Sequence, residues 1–137
     1  MKNAKLLLRY SLAVIYLWFG LLKLFGASPI TSVLEELYPW LVKSNLMFDL
    51  FALLEISIGV GLILPRASKY SSLALVGHLL ISTLAILFSP MAFEGNFPNL
   101  TLLGEFVVKN FALIAAGLVV YSDKESALIQ NGNEDTK

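Results

Sequence analysis

The stretch Tyr70-Ser-Ser-Leu-Ala-Leu-Val-Gly-His-Leu-Leu-Ile-Ser-Thr-Leu-Ala-Ile-Leu-Phe88 decides the fold class of this chain. No Asp, Glu, Lys or Arg occurs between Lys69 and Glu94, so the segment lacks the charged outer stripe of a soluble bundle helix. Its length matches the about 20 residues that cross the hydrocarbon core of a bilayer. The segment therefore predicts a transmembrane helix.

The composition of the whole chain agrees with this interpretation. Of the 137 residues, 57% are apolar and 15% charged, whereas soluble domains carry about 25% charged residues. The other three apolar segments contain ionisable residues and also fit buried helices of a soluble bundle. We predict an all-α integral membrane bundle of four transmembrane helices in residues 1–121, then a polar, disordered cytoplasmic tail in residues 122–137. The helices are expected at about residues 6–26, 46–64, 70–88 and 102–121.

Basic residues in the connections predict the orientation of the bundle. One side holds Lys2, Lys5 and Arg9 before the first helix, and Arg66 and Lys69 in the turn between the second and third helices. The other side holds only Lys43 in its first loop and no Lys or Arg in its second. Since cytoplasmic loops are enriched in Lys and Arg, we predict cytoplasmic termini and outward-facing loops at residues 27–45 and 89–101.

The first outward loop contains a helix signal of its own. Ser32-Val-Leu-Glu35 has the form of a capping box, in which the hydroxyl and the carboxylate bond free amide groups at a helix start. We predict a short interfacial helix over residues 33–38, with Trp40 close to the lipid headgroups. Both a capping loop and a substrate lid fit this segment.

Five ionisable side chains fall at membrane depth, where a bilayer disfavours them: Lys23, Glu55, His78, Glu105 and Lys109. At 1.5 Å of rise per residue, the estimated depths of Glu55 and Lys109 differ by only roughly 3 Å. We therefore expect Glu55 and Lys109 to share one buried polar network, with Lys23 and Glu105 at its outer edge. Small residues on the same helical stripes are expected to bring the helices together, namely Gly20, Gly59, Ala112 and Ala116.

Two interpretations of these charges stay open. The first is a structural network that orders the helices without reacting. The second is a proton-handling or ligand site that includes Glu55, His78, Tyr16 and Trp18. His78 alone fits either a hydrogen-bonded interior histidine or a proton relay.

Several kinds of site have no signal in the sequence. A single histidine and the lack of any cysteine leave no ligand set for a metal and no thiol redox pair. We find no phosphate-binding loop and no dinucleotide fingerprint, and therefore predict no cofactor held by this chain alone. A net charge of zero gives no electrostatic footprint for nucleic acid.

Three segments together resemble the DoxX-like family of small four-helix membrane proteins: Trp18-Phe-Gly-Leu-Leu-Lys-Leu-Phe25, Phe51-Ala-Leu-Leu-Glu-Ile-Ser-Ile-Gly-Val-Gly-Leu62 and Gly104-Glu-Phe-Val-Val-Lys-Asn-Phe-Ala-Leu-Ile114. The resemblance covers about residues 6–121. It implies that Gly20, Lys23, Glu55, Gly59, Lys109 and Asn110 are recurring positions, and it adds Asn110 to the expected polar network. It also implies a bacterial inner-membrane protein, with some relatives linked to quinone-dependent oxidation of sulfur compounds or to membrane oxidoreductase complexes.

Three functions are compatible with these observations. The one we rank first, on resemblance, is a membrane subunit of a redox complex with a quinone site, whose electron-carrying cofactor sits on a partner protein. The second is a small-solute or proton-linked carrier that uses the charge cluster and works as a homo-oligomer, because four helices make a narrow bundle. The third is a non-catalytic membrane scaffold.

Overall fold

The computed structural model describes residues 2–28, 30–40, 45–87, 99 and 101–134. Its helices are α1 (Lys2–Leu24), α2 (Ile30–Leu37), α3 (Asn45–Ile63), α4 (Ser68–Leu87) and α5 (Leu102–Glu134). These ranges contain no strand, which confirms the all-α prediction, and four of the helices are long. Three of them, α1, α3 and α4, are long and apolar enough to cross a membrane. A membrane-spanning role for α5 stays a prediction.

The four long helices form a ring around a common core. α1 packs mainly on α3 and α4 mainly on α5, while lesser contacts between α3 and α4 and between α1 and α5 close the ring. All four contribute to one apolar cluster, which includes Leu12 of α1, Leu62 of α3, Leu75 of α4 and Ile114 of α5. Within the described ranges, α3 and α5 therefore occupy opposite corners of the bundle.

Two glycines set the register between α1 and α3. A Cβ atom added to Gly20 would lie 3.0 Å from the carbonyl oxygen of Ala52, and one added to Gly59 would lie 3.0 Å from the backbone nitrogen of Leu17. Contacts this close to backbone atoms leave no room for a larger side chain. Gly20 of α1 consequently lies level with the turn of α3 that contains Glu55.

A left-handed glycine ends α1. Gly26 has a φ of 67°, and its N–H donates to the carbonyl of Lys23 at 3.0 Å while the N–H of Ala27 donates to the carbonyl of Leu22 at 2.8 Å. These two bonds form a Schellman motif, which satisfies carbonyl groups that would otherwise lack a partner. Lys23 is thereby held in the last turn of α1, where its positive charge interacts favourably with the negative end of the helix dipole.

The short helix α2 differs in its start from the predicted one. It begins at Ile30, so Ser32 lies within its first turn and the predicted capping box is wrong. The carbonyl of Ser28 instead accepts a bond from the N–H of Thr31 at 3.1 Å. Beyond its end, the Tyr38 hydroxyl donates to the carbonyl of Ala85 on α4 at 3.2 Å. The interfacial position of α2 stays a prediction.

α5 is longer than the sequence predicted. We expected the last helix to end at residue 121, but α5 continues to Glu134, so residues 122–134 are helical rather than disordered. Lys5 near the start of α1 forms an ion pair with Asp123 at 2.7 Å, which ties the continuing helix to the bundle. Residues 135–137 and most of the second outward loop lie outside the described residues.

Candidate functional site

A buried ion pair connects α1 and α3. The Nζ atom of Lys23 lies 2.5 Å from Oε1 and 2.6 Å from Oε2 of Glu55, so the ammonium group donates to both carboxylate oxygens. The two side chains are only 12% and 7% exposed. Because low-dielectric surroundings penalise an unpaired charge, removal of either side chain would leave the other charge without its partner.

The helix register explains why this pair forms. Lys23 lies one turn beyond Gly20, whereas Glu55 is level with Gly20, so the two backbones are offset along the bundle. Side chains of an α-helix lean towards its N-terminus. Since α1 and α3 run in opposite directions, Lys23 leans back towards Glu55 and Glu55 leans towards Lys23, which removes the offset.

Two further side chains extend the pair towards α4 and back to α1. The Nε2 atom of His78 lies 3.6 Å from Oε1 of Glu55, and its Nδ1 atom lies 3.1 Å from the hydroxyl of Tyr16. The Tyr16 hydroxyl is also 3.3 Å from the carbonyl oxygen of Leu75. We call Tyr16, Lys23, Glu55 and His78 the polar cluster. It joins side chains from three candidate membrane spans.

Two arrangements of protons fit these distances. If the Tyr16 hydroxyl donates to Nδ1 of His78, a neutral imidazole carries its proton on Nε2, which faces the Glu55 carboxylate. The reverse arrangement would turn a lone pair towards that negative charge. The Glu55 carboxylate favours the Nε2–H form, in which the Tyr16 hydroxyl donates to Nδ1; in the Nδ1–H form the hydroxyl accepts from His78 and donates to the Leu75 carbonyl.

The remaining predicted polar residues lie elsewhere on the bundle. Glu105 and Lys109 have exposed side chains on α5, and the Asn110 side chain donates to Oγ1 of Thr83 on α4 at 3.2 Å. The predicted pairing of Glu55 with Lys109 is therefore corrected: the carboxylate bonds Lys23 instead. The physical reason is the ring order, which sets α3 and α5 at opposite corners.

A comparison with known protein families matched the part of the chain that contains the polar cluster. A family model described as DoxX matches residues 4–90, which is more than half of the chain and includes the whole polar cluster. The chain belongs to the DoxX family. No curated protein and no solved structure matched it. This DoxX protein has its polar cluster in the matched region, while α5 lies beyond it.

The predicted packing residues of this DoxX protein, and Trp18, differ in how far they are buried. Gly20 and Gly59 lie in the contact between α1 and α3. Ala116 packs against the core, whereas Ala112 is exposed on α5. Trp18, predicted near the ligand site, is 63% exposed and faces away from the polar cluster on α1.

Sequence reasoning missed several buried polar residues, of which Arg9 and Thr83 are two and Ser68 and Ser72 are others. In the sequence, Arg9 indicates only the orientation of the bundle, yet the residue is 5% exposed in the structure. Its spacing of seven residues from Tyr16, two helical turns, is a signal that could have placed it on the inward face of α1. Thr83, the acceptor for Asn110, had no comparable signal, because a threonine hydroxyl in a helix can bond a backbone carbonyl of its own preceding turn instead of another side chain. In the part of the chain that the structure describes, no group of three or more His, Cys, Asp or Glu residues could hold a metal ion.

Proposed function

We propose that this DoxX protein is a membrane subunit of a quinone-linked redox system, and that the polar cluster handles protons and binds a polar ligand head. The observation that carries the proposal is the buried Glu55 carboxylate, held between the ammonium of Lys23 and the imidazole of His78. Acid and base groups enclosed together are frequent at sites that transfer protons or bind charged ligands. The redox assignment itself rests on the family.

The donors of the cluster fit the chemistry of a quinone head. Its carbonyl oxygens accept hydrogen bonds, and Lys23, His78 and Tyr16 all carry donors. When bound, a quinone supplies the capacity to take up two electrons and two protons. The electrons are assigned to a cofactor on a partner protein, as the family resemblance implies.

Each member of the cluster has a separate task in this proposal. Lys23 holds the Glu55 carboxylate in place by donating to both of its oxygens. His78 stands between Glu55 and Tyr16 and can exchange protons through both of its ring nitrogens. Tyr16 fixes the orientation of the ring by its bond to Nδ1.

The proposal includes the arrangement in the membrane. We assign α5 as a fourth span, α2 to the outer interface, both termini to the cytoplasm and the protein to a bacterial inner membrane. Residues 102–121 support the fourth span by their apolar composition. The basic residues at the N-terminal end and in the turn between α3 and α4 support the orientation.

Co-purification tests the function. The wild-type chain, Glu55→Gln and Asp49→Asn would be purified in mild detergent, and bound quinone would be measured by extraction and mass spectrometry. Asp49 is the matched control, because it is an exposed acid on the same helix. We expect quinone with the wild type and with Asp49→Asn, and at least a tenfold loss with Glu55→Gln, which corresponds to about 1.4 kcal/mol.

Other results would select another function. If none of the three proteins carries quinone, the redox proposal is wrong. Loss of solute or proton flux into proteoliposomes in Glu55→Gln alone would then indicate a carrier. Unchanged flux in all three would leave the scaffold role.

A further inference from the structure

The hydroxyl of Tyr16 lies between two hydrogen-bond partners but has a single proton to donate. Its oxygen is 3.1 Å from Nδ1 of His78 and 3.3 Å from the carbonyl oxygen of Leu75. A tyrosine hydroxyl can also accept a hydrogen bond, whereas a carbonyl oxygen can only accept. The bond to Leu75 therefore exists only while the hydroxyl proton points towards that carbonyl. In that state His78 is the donor in the other contact, through a proton on Nδ1.

Reversal of these bonds requires no movement of the phenol ring. Tyr16 is 4% exposed and belongs to the apolar core that the four long helices share. Its ring meets the His78 ring edge to face, with a centroid distance of 5.7 Å. Packing holds the phenol ring, whereas the hydroxyl proton is free to turn about the bond between the ring and the oxygen. Tyr16 can therefore change from donor to acceptor at Nδ1 while it stays in place.

The other ring nitrogen of His78 also faces a partner. Nε2 lies 3.6 Å from Oε1 of Glu55, and a carboxylate oxygen has room for a second donor besides the ammonium of Lys23. An imidazolium ion, with protons on both nitrogens, would thus face the carboxylate on one side and the accepting Tyr16 hydroxyl on the other. That hydroxyl would in turn donate to the Leu75 carbonyl. The observed positions therefore suit a charged His78 as well as a neutral one.

The charged groups around His78 decide when the ring takes up a second proton. Lys23 of α1 and Glu55 of α3 cancel each other, so a neutral ring leaves the polar cluster uncharged and an imidazolium makes it positive. The side chains of Glu105 and Lys109 on α5 are exposed elsewhere on the bundle. Burial and Lys23 oppose the added charge, while Glu55 favours it. Uptake is therefore expected on acidification, or when a bound ligand brings negative charge.

We propose that the Tyr16 hydroxyl is a reversible switch that lets His78 store one additional proton without movement of the helices. The step forms one N–H bond with a proton from water or from the ligand head, and no electrons move. Tyr16 is a positioning residue in this role, because it acts through the histidine ring. This role rests on the proton-handling part of the proposed function. A permanent bond from the hydroxyl to Nδ1 would instead block that nitrogen and keep the ring neutral.

Nitrogen NMR on the full-length chain in detergent tests the switch, and it needs no quinone. His78 is the only histidine of the sequence, so both ring-nitrogen signals of a sample with isotope-labelled histidine belong to it. A neutral ring gives one protonated and one bare nitrogen, whereas the imidazolium gives two protonated ones. We expect the wild type to pass from the first state to the second as the pH is lowered from about 8 to about 5.

Two tyrosine variants separate the switch from a general effect on α1. Tyr16→Phe removes the acceptor for Nδ1–H, so the ratio of charged to neutral His78 at a given pH should fall by about tenfold or more. Tyr10→Phe is the matched control, because it is the same change on the same helix at a side chain that is exposed. It should give the same ratio as the wild type.

Two results would overturn the switch: a His78 ring that stays neutral down to the lowest pH at which the wild type is folded, or a Tyr16→Phe variant with the wild-type ratio. If Tyr16→Phe does not fold, hydrogen exchange on the wild type decides. At low pH the Nδ1–H proton should exchange slowly with water, because it is bonded to a buried hydroxyl; rapid exchange would contradict the switch. Absence of quinone after purification would overturn the redox function alone and leave the proton storage intact.

Discussion

At the scale of single residues, the environment of Lys23 and Glu55 differs sharply from that of Lys5 and Asp123. The first pair is 12% and 7% exposed, and the second is 37% and 43% exposed. Exposed ion pairs contribute at most about 1 kcal/mol because water screens them and the side chains lose freedom. Removal of one partner from a buried pair costs about 3–5 kcal/mol, because the other charge is left unpaired.

A double-mutant cycle distinguishes these two cases. Lys23→Met and Glu55→Gln should each lower the stability of the purified protein by about 3–5 kcal/mol, while the double variant should lose clearly less than the sum. Lys5→Gln and Asp123→Asn are the exposed control and should show little coupling. Thermal unfolding in detergent is the measurement. Additive losses for Lys23 and Glu55 would contradict the buried pair.

A second double-mutant cycle tests whether Lys23, and not Lys109, is the partner of Glu55. Glu55→Gln combined with Lys109→Met should be additive, because α3 and α5 lie at opposite corners of the bundle. Coupling between those two residues as strong as that between Glu55 and Lys23 would restore the network that the sequence suggested.

At the scale of helices, the contact between α1 and α3 is the main support of the cluster. Gly20 and Gly59 let the two backbones approach closely enough for the side chains of Lys23 and Glu55 to meet. A wider separation would leave the carboxylate beyond the reach of the ammonium. The close packing of α1 on α3 is therefore a condition for the ion pair between Lys23 and Glu55.

Alanine substitutions of glycines test the packing. Gly20→Ala should destabilise the protein by about 1–3 kcal/mol, since its Cβ would lie 3.0 Å from the Ala52 carbonyl oxygen. Gly77→Ala on α4 is the matched control, because a Cβ there has no atom within 4 Å. It should be neutral or stabilising by about 0.5–1 kcal/mol, as alanine favours a helix. Thermal unfolding that is lowered equally in both variants would mean that Gly20 has no special contact.

The sequence predicted the positions of the helices better than the side-chain contacts between them. Apolar length placed the four long helices, and the small residues marked Gly20 and Gly59. The choice of Lys23 over Lys109 for Glu55 depended on which helices are neighbours, and helical spacing alone does not contain that information. Near the start of the unpredicted part of α5, Asp123 contacts Lys5, a pair separated by 118 positions that no local pattern indicates.

At the scale of the whole molecule, the two ends of the helix bundle differ in the elements and the charges that they carry. The start of α1, the turn between α3 and α4, and Asp123 of α5 share one end, while the end of α1 and the short helix α2 lie at the other. The first end carries most of the basic side chains of the described connections, which predicts that it faces the cytoplasm.

Thiol labelling on intact cells tests this orientation. Because the chain has no cysteine of its own, Ala27→Cys and Ala67→Cys each introduce a single thiol, one at each end. An impermeant reagent should label Ala27→Cys and spare Ala67→Cys, while both should react fully after detergent lysis, which controls for burial. Reversed labelling would place the termini outside.

The sequence distance between the two residues of the buried ion pair matters for the insertion of the helices into the membrane. Lys23 and Glu55 are 32 positions apart, so Lys23 is translated before its carboxylate partner in α3. A lone cation makes a helix a poor substrate for insertion into lipid. We therefore expect α1 and α3 to enter the bilayer as a pair, because Lys23 and Glu55 neutralise each other where the two helices meet.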